Sequence, residues 1–207
     1  MPHDDSNADF LKHADAAFPM PPRELDRLAQ RRWILRYARN GSVGAEIGVF
    51  RGHFSEIICQ TLAPRKLYLI DPWTKLGEKF GWGKAYTAND TLPTAQARDE
   101  AQARVATFEN VETVLVEDHF PACRGSLAEK LDFAYLDASH DYAATLKELS
   151  ALSPLMAPDG VILGDDWQIN PAHQHHGVFR AVQEYTRHEP WQIVAAGPGG
   201  QWALARR

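Results

Sequence analysis

The stretch Ala45–Gly52, which reads AEIGVFRG, constrains the fold of this chain more than any other stretch. An apolar run from Val43 to Ile47 leads into it, and apolar residues at helical spacing follow it, from Phe54 to Leu62. This order predicts a strand, a tight glycine turn and a helix. Such a unit places backbone N–H groups and the positive end of a helix dipole at the edge of a parallel sheet. We therefore expect a ligand with a ribose and a polar or charged tail at this edge.

The rest of the chain alternates between extended and helical patterns, which predicts an α/β fold. Five such alternations imply a parallel sheet with helices on both faces. A glycine-rich stretch, Gly197–Gly200, joins the last two strands and predicts a closing antiparallel hairpin. The predicted strands are Val43–Ile47, Lys66–Ile70, Val111–Val116, Leu131–Leu136, Val161–Leu163, Trp191–Ala195 and Gln201–Ala205, and the predicted helices are Glu24–Asn40, Gly52–Leu62, Pro93–Phe108, Tyr142–Leu152 and Gly177–His188.

Residues 1–40 are predicted to form a polar segment and a helical extension. Arginines are dense around the helix predicted over Glu24–Asn40, and we interpret them as a solvated face whose aliphatic stems cover apolar surface. A subunit contact or a patch that binds an anionic substrate is the alternative. The arginines are Arg23, Arg27, Arg31, Arg32, Arg36 and Arg39.

A long segment without a clear period, Pro72–Leu92, follows the second predicted strand. It contains Trp73, Phe80, Trp82 and Tyr86. Loops of this length in a compact domain are usually functional, so we expect a lid over the site. Its tryptophans are expected to pack in the core or, alternatively, to wall an acceptor pocket.

The composition argues against several classes of protein. The chain has 207 residues and a formal net charge of −5, which argues against a nucleic-acid-binding surface built on bulk positive charge. The acidic, polar start is unlike a secretory signal, and no apolar run approaches membrane-spanning length. Cys59 and Cys123 form no disulfide framework and are expected to be core thiols. We therefore expect a cytoplasmic protein with neither a nucleic-acid nor a membrane partner.

Acidic residues follow four successive predicted strands, at the ends that meet along one edge of the sheet. They are Asp71, the pair Glu117-Asp118, Asp137 and the pair Asp165-Asp166. Open α/β sheets bind their ligands at this edge. Acids at four successive strand ends are hard to explain as a solvated surface, so we expect them to form a site.

With these motifs in order, the chain resembles the class I S-adenosylmethionine-dependent methyltransferases from about Val43 to Ala205. AEIGVFRG is similar to the first motif of that family, and LYLIDPW is similar to the second. DFAYLDASHDY followed by LMAPDGVILGDDW resembles the subgroup of small, metal-assisted O-methyltransferases. The resemblance implies a seven-stranded, mostly parallel Rossmann-like sheet, with residues 41–207 as the S-adenosylmethionine-binding domain.

The resemblance also implies which residues contact S-adenosylmethionine. Asp71 would accept hydrogen bonds from the ribose hydroxyls, Gly48 would let the backbone approach the cofactor, and Glu46 would face its ammonium group. Alternatively, Glu46 is paired with an arginine, and Asp118 is a helix N-cap before Pro121 instead of an adenine-side contact. The implied cofactor contacts are Glu46, Gly48, Phe50, Asp71, Trp73, Asp118 and Asp137.

The carboxylates of Asp137, Asp165 and Asp166 are predicted to hold a divalent cation. Carboxylates from neighbouring strand ends repel each other unless a cation neutralises them. Oxygen ligands favour a hard ion, which suggests magnesium, with calcium or manganese as alternatives. In the absence of a metal, Asp165 and Asp166 would cap the helix or turn that follows.

Histidines near these carboxylates are candidates for catalysis. His140 stands three residues after Asp137, at a position that resembles that of the proton-accepting lysine in catechol-type members of the family. Histidine titrates near neutral pH, so we predict that His140 is the catalytic base, with a cap on the helix at Asp141 as the alternative. Three later histidines are expected on a solvated loop or, alternatively, in the acceptor pocket: His173, His175 and His176.

The sequence thus predicts an S-adenosylmethionine-dependent methyltransferase that O-methylates a small-molecule hydroxyl with the help of a divalent cation. An NAD-dependent oxidoreductase is a second hypothesis, but it would need a glycine where the chain has Phe50, so the G-x-G-x-x-G pattern is absent. A non-catalytic small-molecule-binding module would share the same fold. The N-terminal helix and the family resemblance lead us to expect a homodimer.

Overall fold

The computed structural model describes residues 5–82 and 91–207. The α-helices are α1 (Asp5–Ala17), α2 (Pro22–Arg31), α3 (His53–Leu62), α4 (Thr94–Ala106), α5 (Tyr142–Leu152) and α6 (His176–His188). The strands are β1 (Val43–Ile47), β2 (Lys66–Asp71), β3 (Glu112–Glu117), β4 (Leu131–Leu136), β5 (Met156–Gly164), β6 (Trp191–Gly197) and β7 (Gln201–Arg206). Short 3-10 helices cover Arg32–Tyr37, Trp73–Leu76, Ala122–Ser126, Ser153–Leu155 and Pro198–Gly200.

The seven strands form one sheet in the order β3-β2-β1-β4-β5-β7-β6. Strands β1 to β5 pair in parallel, and β7 pairs antiparallel with both β5 and β6. This arrangement confirms the predicted seven-stranded, Rossmann-like sheet with its parallel core and closing hairpin. Strand β5 is longer than the predicted Val161–Leu163, because it also pairs through Met156 with Leu131 of β4. The strand order reverses between β1 and β4, which opens a crevice at their carboxyl ends.

Apolar side chains cover both faces of the sheet. Leu67 and Leu69 of β2 pack on the same side as Ile58 of α3, whereas Tyr68 and Ile70 of β2 belong to the core on the other side. Successive residues of a strand point to opposite faces of the sheet, so a run of consecutive apolar residues indicates that other elements cover both faces. Strand β1 is likewise buried along its whole length. The central strands therefore hold the crevice in a rigid frame.

The N-terminal helices differ from the prediction. Helix α2 ends at Arg31, and the chain continues as the 3-10 helix Arg32–Tyr37, whereas a single helix was expected over Glu24–Asn40. Ile34 and Leu35 of the 3-10 helix are fully buried in the core. The change from the α-helical to the tighter 3-10 period directs these two side chains against the sheet domain.

The N-terminal extension also packs on the sheet domain through charged side chains, several of them buried. Asp15 of α1 lies 2.8 Å from Nη2 of Arg104 on α4. Arg51, at the start of α3, is fully buried; its Nε donates to Oε2 of Glu100 at 2.5 Å, and its Nη1 donates to the carbonyl of Phe18 at 2.7 Å. The domain boundary predicted after residue 40 stays a prediction, although side chains from both sides of it share one core.

The segment after β2 is described in part. Trp73–Leu76 form a 3-10 helix, Lys79 pairs with Pro93 in an isolated bridge, and Phe80 is buried. The lid predicted over Pro72–Leu92 includes residues 83–90, which lie outside the described residues. Among the helices that the structure describes, none is long and apolar enough to cross a membrane.

Candidate active site

A cavity of about 810 Å³ opens at the carboxyl ends of β1, β2, β4 and β5. One side of it surrounds the glycine turn after β1, and the other side surrounds the ends of β4 and β5. We call these sides the cofactor half and the acceptor half, after the roles predicted for their residues. The cofactor half consists of Glu46, Gly48, Phe50, Asp71 and Asp118, and the acceptor half of Arg31, Asp137, His140, Asp165, Asp166 and His175. Every predicted site residue lines this cavity except Trp73.

Gly48 turns the chain at the end of β1 with a φ of +90°, which favours glycine. A Cβ at this position would lie 2.0 Å from the carbonyl oxygen of Asp137, and the amide of Asp137 donates to the carbonyl of Ile47 at 2.8 Å. Close approach to the cofactor was the expected reason for this glycine. The structure adds another reason, which is that β1 and β4 are in contact at their carboxyl ends.

The carboxylate of Asp71 holds the glycine turn in place. Its Oδ2 accepts hydrogen bonds from the amides of Val49 and Phe50, both at 2.9 Å, and its Oδ1 accepts from the amide of Trp73 at 3.0 Å. Burial raises the pKa of Asp71, and the three amide donors oppose that rise. Three of about four acceptor positions of the carboxylate are thus used inside the protein. The predicted contact with a ribose stays a prediction.

Aromatic residues wall the outer side of the cofactor half. The ring of Phe50 lies 5.0 Å from that of Phe80 and 5.2 Å from that of Trp82. Trp73 is fully buried beneath them and donates its Nε1–H to the carbonyl of Phe50 at 2.8 Å. Trp73 therefore supports the turn from below, and its side chain does not line the cavity as the predicted cofactor contact requires.

Glu46 is a buried carboxyl group at the floor of the cavity. The hydroxyl of Ser55 on α3 donates to its Oε2. Burial raises the pKa of Glu46 to about 8, because the ionised form loses its hydration, and the Ser55 hydroxyl opposes part of this effect. A cationic group of a ligand would favour the ionised form of this carboxyl.

Asp118, after β3, faces Lys75 at 2.9 Å and accepts a hydrogen bond from the amide of His119 at 2.8 Å. These contacts hold the pKa of Asp118 below its usual value, with the Lys75 contact as the larger cause. The following 3-10 helix has Pro121 as its N-cap residue and no side-chain cap. Asp118 is therefore not a helix cap, which was the alternative to a cofactor contact.

Arg31 joins two of the three predicted metal ligands. Its Nη1 donates to Oδ2 of Asp137 at 2.6 Å, and its Nη2 forms an ion pair with Oδ2 of Asp165. Nη1 of Arg27 lies 3.5 Å from the same oxygen of Asp165, and Nε2 of Gln201 donates to the other oxygen at 2.5 Å. Burial and the charge of Asp137 raise the pKa of Asp165, and the contact with Arg31 opposes that rise.

Asp166, the third predicted ligand, contacts two histidines. Its Oδ2 lies 2.7 Å from Nδ1 of His140, and its Oδ1 lies 2.9 Å from Nδ1 of His175. The two imidazole rings stack with their centroids 4.4 Å apart. The backbone of Asp166 has a φ of +62°, an uncommon conformation that aims its carboxylate at this pair.

These contacts shift the protonation of both partners. Burial opposes the ionised form of Asp166, but the contacts with His140 and His175 outweigh it and hold the pKa of Asp166 well below its usual range. Burial disfavours the charged form of His140, but the contact with Asp166 outweighs it and raises the pKa of His140. With Nδ1 of His140 facing a carboxylate, Nε2 is the nitrogen left to accept a proton.

The alternative roles considered for these residues are not those in the structure. Asp141 is the N-cap of α5, and its Oδ1 accepts from the amides of Ala143 and Ala144 at 3.0 Å each, so His140 is not the cap. Helix α6 has His175 as its N-cap residue and no side-chain cap, so Asp165 and Asp166 do not cap it.

The three carboxylates fit a divalent cation in their spacing but not in their other contacts. Oxygen atoms of Asp137, Asp165 and Asp166 lie within 4.8 Å of one another, as the prediction requires. Arg31, however, already holds one oxygen each of Asp137 and Asp165. A cation on all three carboxylates would have to displace the guanidinium or stand beside it, so the set as folded does not fit the metal. The predicted cation stays a prediction.

The sequence prediction missed Arg31 as a site residue and gave His175 only as an alternative. Arg31 was read as part of a solvated face, yet only 3% of it is exposed. Arg31 stands three residues after Leu28 and four before Leu35, which places it on the apolar face of a helix. This spacing would have predicted that Arg31 is buried. His175 was expected on a solvated loop, and the structure supports the alternative place in the acceptor pocket.

Comparisons with known proteins bear on this geometry. The sequence model of a family described as a methyltransferase domain matches residues 45–167, which is more than half of the chain. No curated protein matches the chain.

Solved structures share the fold at low sequence identity. The O-methyltransferase TomG from Streptomyces achromogenes, involved in tomaymycin synthesis and in complex with SAM, is 17% identical with a TM-score of 0.55, and the match covers 99% of this chain and 91% of that chain. The O-methyltransferase from Bacillus cereus in complex with SAH is 17% identical with a TM-score of 0.53, over 100% and 93% of the two chains. An rRNA methylase from Streptococcus thermophilus is 12% identical with a TM-score of 0.55, over 89% and 94%.

Proposed function

This chain belongs to the methyltransferase-domain family, and from that premise we propose that it transfers the methyl group of S-adenosylmethionine to the hydroxyl oxygen of a small molecule. The observation that carries the proposal is the contact between His140 and Asp166, in the same cavity as the glycine turn after β1. Transfer to a hydroxyl needs a base close to the bound cofactor, and the two halves of this cavity offer both.

When bound, S-adenosylmethionine supplies an electrophilic methyl group, which leaves sulfur for the acceptor oxygen and yields a methyl ether and S-adenosylhomocysteine. Nε2 of His140 takes the proton that the hydroxyl loses. Asp166 orients the imidazole through Nδ1 and stabilises the positive charge that the ring then carries. Positioning and charge are the work of the protein in this reaction, because the cofactor carries the reactive group.

We propose that the cofactor half binds S-adenosylmethionine. Glu46 offers its buried carboxyl to the ammonium group, because a cation there would compensate the cost of ionising it. Asp71 has an acceptor position left for a ribose hydroxyl beyond the three amides that it binds. Phe50 and Asp118 line the same half and complete the proposed set.

A positive charge beside the acceptor oxygen would support the proton transfer. The sequence predicts magnesium for this role, with calcium or manganese as alternatives, on Asp137, Asp165 and Asp166. The grouping of the three carboxylates favours that proposal, and the two ion pairs with Arg31 argue against it. No step is therefore assigned to a metal.

We propose that the acceptor is a small molecule rather than RNA. We also propose that the enzyme is a homodimer and acts in the cytoplasm. Two structural neighbours are described as rRNA methylases, one of them as a putative one, but at 12% and 8% identity they are similar in fold alone. The net charge of −5 disfavours binding to a polyanion.

Calorimetric titration with S-adenosylhomocysteine and with NAD tests the proposal. We expect S-adenosylhomocysteine to bind and NAD to bind far more weakly. Tighter binding of NAD would contradict the proposal and favour an oxidoreductase. Binding of S-adenosylhomocysteine without methyl transfer to any hydroxyl, in a screen of sugars and phenols, would favour a non-catalytic binding module.

A further inference from the structure

We propose that Arg31 is the resident cation of the acceptor half, so that this chain binds no divalent metal at Asp137, Asp165 and Asp166. The catalytic role of Arg31 rests on the proposed function, whereas its contacts with the carboxylates do not depend on that function. The positive charge between these carboxylates then comes from an arginine of the N-terminal extension, whereas the sequence motifs of the sheet domain predict a metal there.

The contacts of Arg31 use the oxygens that a metal would need. One amino group donates to Asp137 at 2.6 Å, and the other forms an ion pair with Asp165. The second oxygen of Asp165 accepts from Gln201 at 2.5 Å, so both of its oxygens are already engaged. Only 4% of the Arg31 side chain and 2% of the Asp165 side chain are exposed. The pair is therefore part of the packed interior.

The other carboxylate contacts in the acceptor half also involve basic side chains. Asp166 contacts His140 and His175, and Arg27 lies near Asp165. Each of the three carboxylates therefore has at least one basic partner, with Arg31 shared between Asp137 and Asp165. A divalent ion would add two positive charges beside a guanidinium that does not lose its proton at any physiological pH. Such an ion is disfavoured for as long as Arg31 stays in place.

Arg31 also lies where a positioning residue would act. It enters the cavity from the last residue of α2, outside the stretch 45–167 that matches the family. It fixes Asp137 and Asp165 at the ends of β4 and β5, next to Asp166 and its two histidines. A planar guanidinium reaches two carboxylates at once, which a lysine ammonium on a single stem does with less directional fit.

Manganese binding to the purified full chain tests this assignment without any substrate. Mn²⁺ is titrated by electron paramagnetic resonance into the wild type and into three variants: Arg31→Met, Arg31→Lys and Arg32→Met. Methionine removes the charge at similar length, lysine keeps it, and Arg32 is the exposed neighbour that serves as the matched control. The melting temperature of each protein is measured with and without Mn²⁺.

We expect Arg31→Met to bind Mn²⁺ at least about tenfold more tightly than the wild type, because the three carboxylates lose their competing cation. Its melting temperature should fall without Mn²⁺ and rise when Mn²⁺ is added. The wild type, Arg31→Lys and Arg32→Met should show neither gain. A merely structural ion pair would explain the lower melting temperature but not the new affinity for a metal.

Two results would overturn the assignment: a wild type that binds Mn²⁺ as tightly as Arg31→Met does, or a folded Arg31→Met that gains no Mn²⁺ affinity. If Arg31→Met does not fold even with Mn²⁺, the other titrations decide. Binding by the wild type or by Arg31→Lys overturns the assignment, and binding by neither supports it. A parallel titration with S-adenosylhomocysteine in EDTA tests the proposed function separately, so the two failures are distinguishable.

Discussion

Hydrogen bonds from backbone amides to one carboxylate hold the glycine turn of the cofactor half, whereas ion pairs between side chains hold the acceptor half. In the cofactor half, Asp71 binds three amides of the turn and of the segment after β2, and its partners Val49 and Phe50 are 22 and 21 residues away in sequence. In the acceptor half, Arg31 and Asp137 are 106 residues apart. One half is a local turn, and the other is assembled from distant parts of the chain.

This difference separates binding from chemistry. The amides that fix the turn do not titrate, so charge enters this part of the site through few groups, chiefly the carboxyls of Asp71 and Glu46. A cluster of carboxylates, histidines and an arginine depends on which of its members are charged. Changes in the acceptor half should therefore alter turnover first, and changes in the cofactor half should alter affinity and stability first.

Replacement of the base should have the largest effect. His140→Gln should lower kcat by about 10²–10⁴-fold, because glutamine cannot take the proton of the acceptor hydroxyl. Affinity for S-adenosylhomocysteine should stay within about twofold, since His140 lies in the acceptor half. Steady-state kinetics and calorimetry measure the two quantities.

His188→Gln is the matched control, because His188 is an exposed histidine at the end of α6 that does not line the cavity. It should keep kcat close to that of the wild type. A His140→Gln enzyme with normal kcat would remove His140 from catalysis, and a parallel loss of cofactor affinity would show that the two halves are not separate.

The next largest effect should be on the pH dependence of stability, and Glu46 should cause it. Its pKa is about 8 in the folded protein and near 4.5 in the unfolded chain, so between these values the folded state binds the extra proton. Stability that depends on this proton is lost as pH rises from about 5 to 8. Relative to Glu46→Gln, the wild type should therefore lose on the order of 2–4 kcal/mol over that range.

Urea unfolding of the two proteins between pH 5 and 9 measures this loss. S-adenosylhomocysteine should reduce the pH dependence of the wild type if its ammonium group meets Glu46, and it should leave Glu46→Gln unaffected in this respect. Parallel stability curves for the two proteins, without ligand, would show that burial does not raise the pKa of Glu46.

The same contrast explains which parts could be predicted from the sequence. Helix α5 begins and ends where predicted, at Tyr142 and Leu152, because its apolar spacing and its flanking breaks are local signals. The carboxylates of the site were found because parallel strands bring their carboxyl ends to one edge.

The partners of those carboxylates could not be read in the same way. Nothing in the sequence around Asp137 says that an arginine 106 residues earlier meets it. The reason for Gly48 was found only in part, since its close neighbour, the carbonyl of Asp137, is also distant in sequence. Long-range pairs depend on the packing of the whole fold, and local patterns do not encode them.

Loss of the carboxylate that orders the glycine turn should have a moderate effect. Asp71→Asn replaces one acceptor oxygen by an NH₂ group that faces an amide donor, which should cost about 1–3 kcal/mol of stability. Affinity for S-adenosylhomocysteine should fall with it, while kcat at saturating cofactor changes little. Thermal unfolding and calorimetry check both.

Asp159→Asn is the control for Asp71→Asn, because it makes the same chemical change at an exposed position of β5 that does not line the cavity. Its stability should stay within about 0.5 kcal/mol of the wild type. Equal losses in the two variants would mean that the turn does not depend on Asp71 in particular.

Removal of the helix cap at Asp141, next to the base His140, should have the smallest effect. Asp141→Ala removes the acceptor of two amide hydrogen bonds at the start of α5, which should cost about 1 kcal/mol of stability. Its turnover should stay near that of the wild type, because Asp141 does not line the cavity. His140→Gln should lose turnover to a far greater degree, because it removes the base itself. Adjacent residues would then divide folding and chemistry between them, and a loss of turnover in Asp141→Ala as large as that in His140→Gln would mean that α5 itself positions the base.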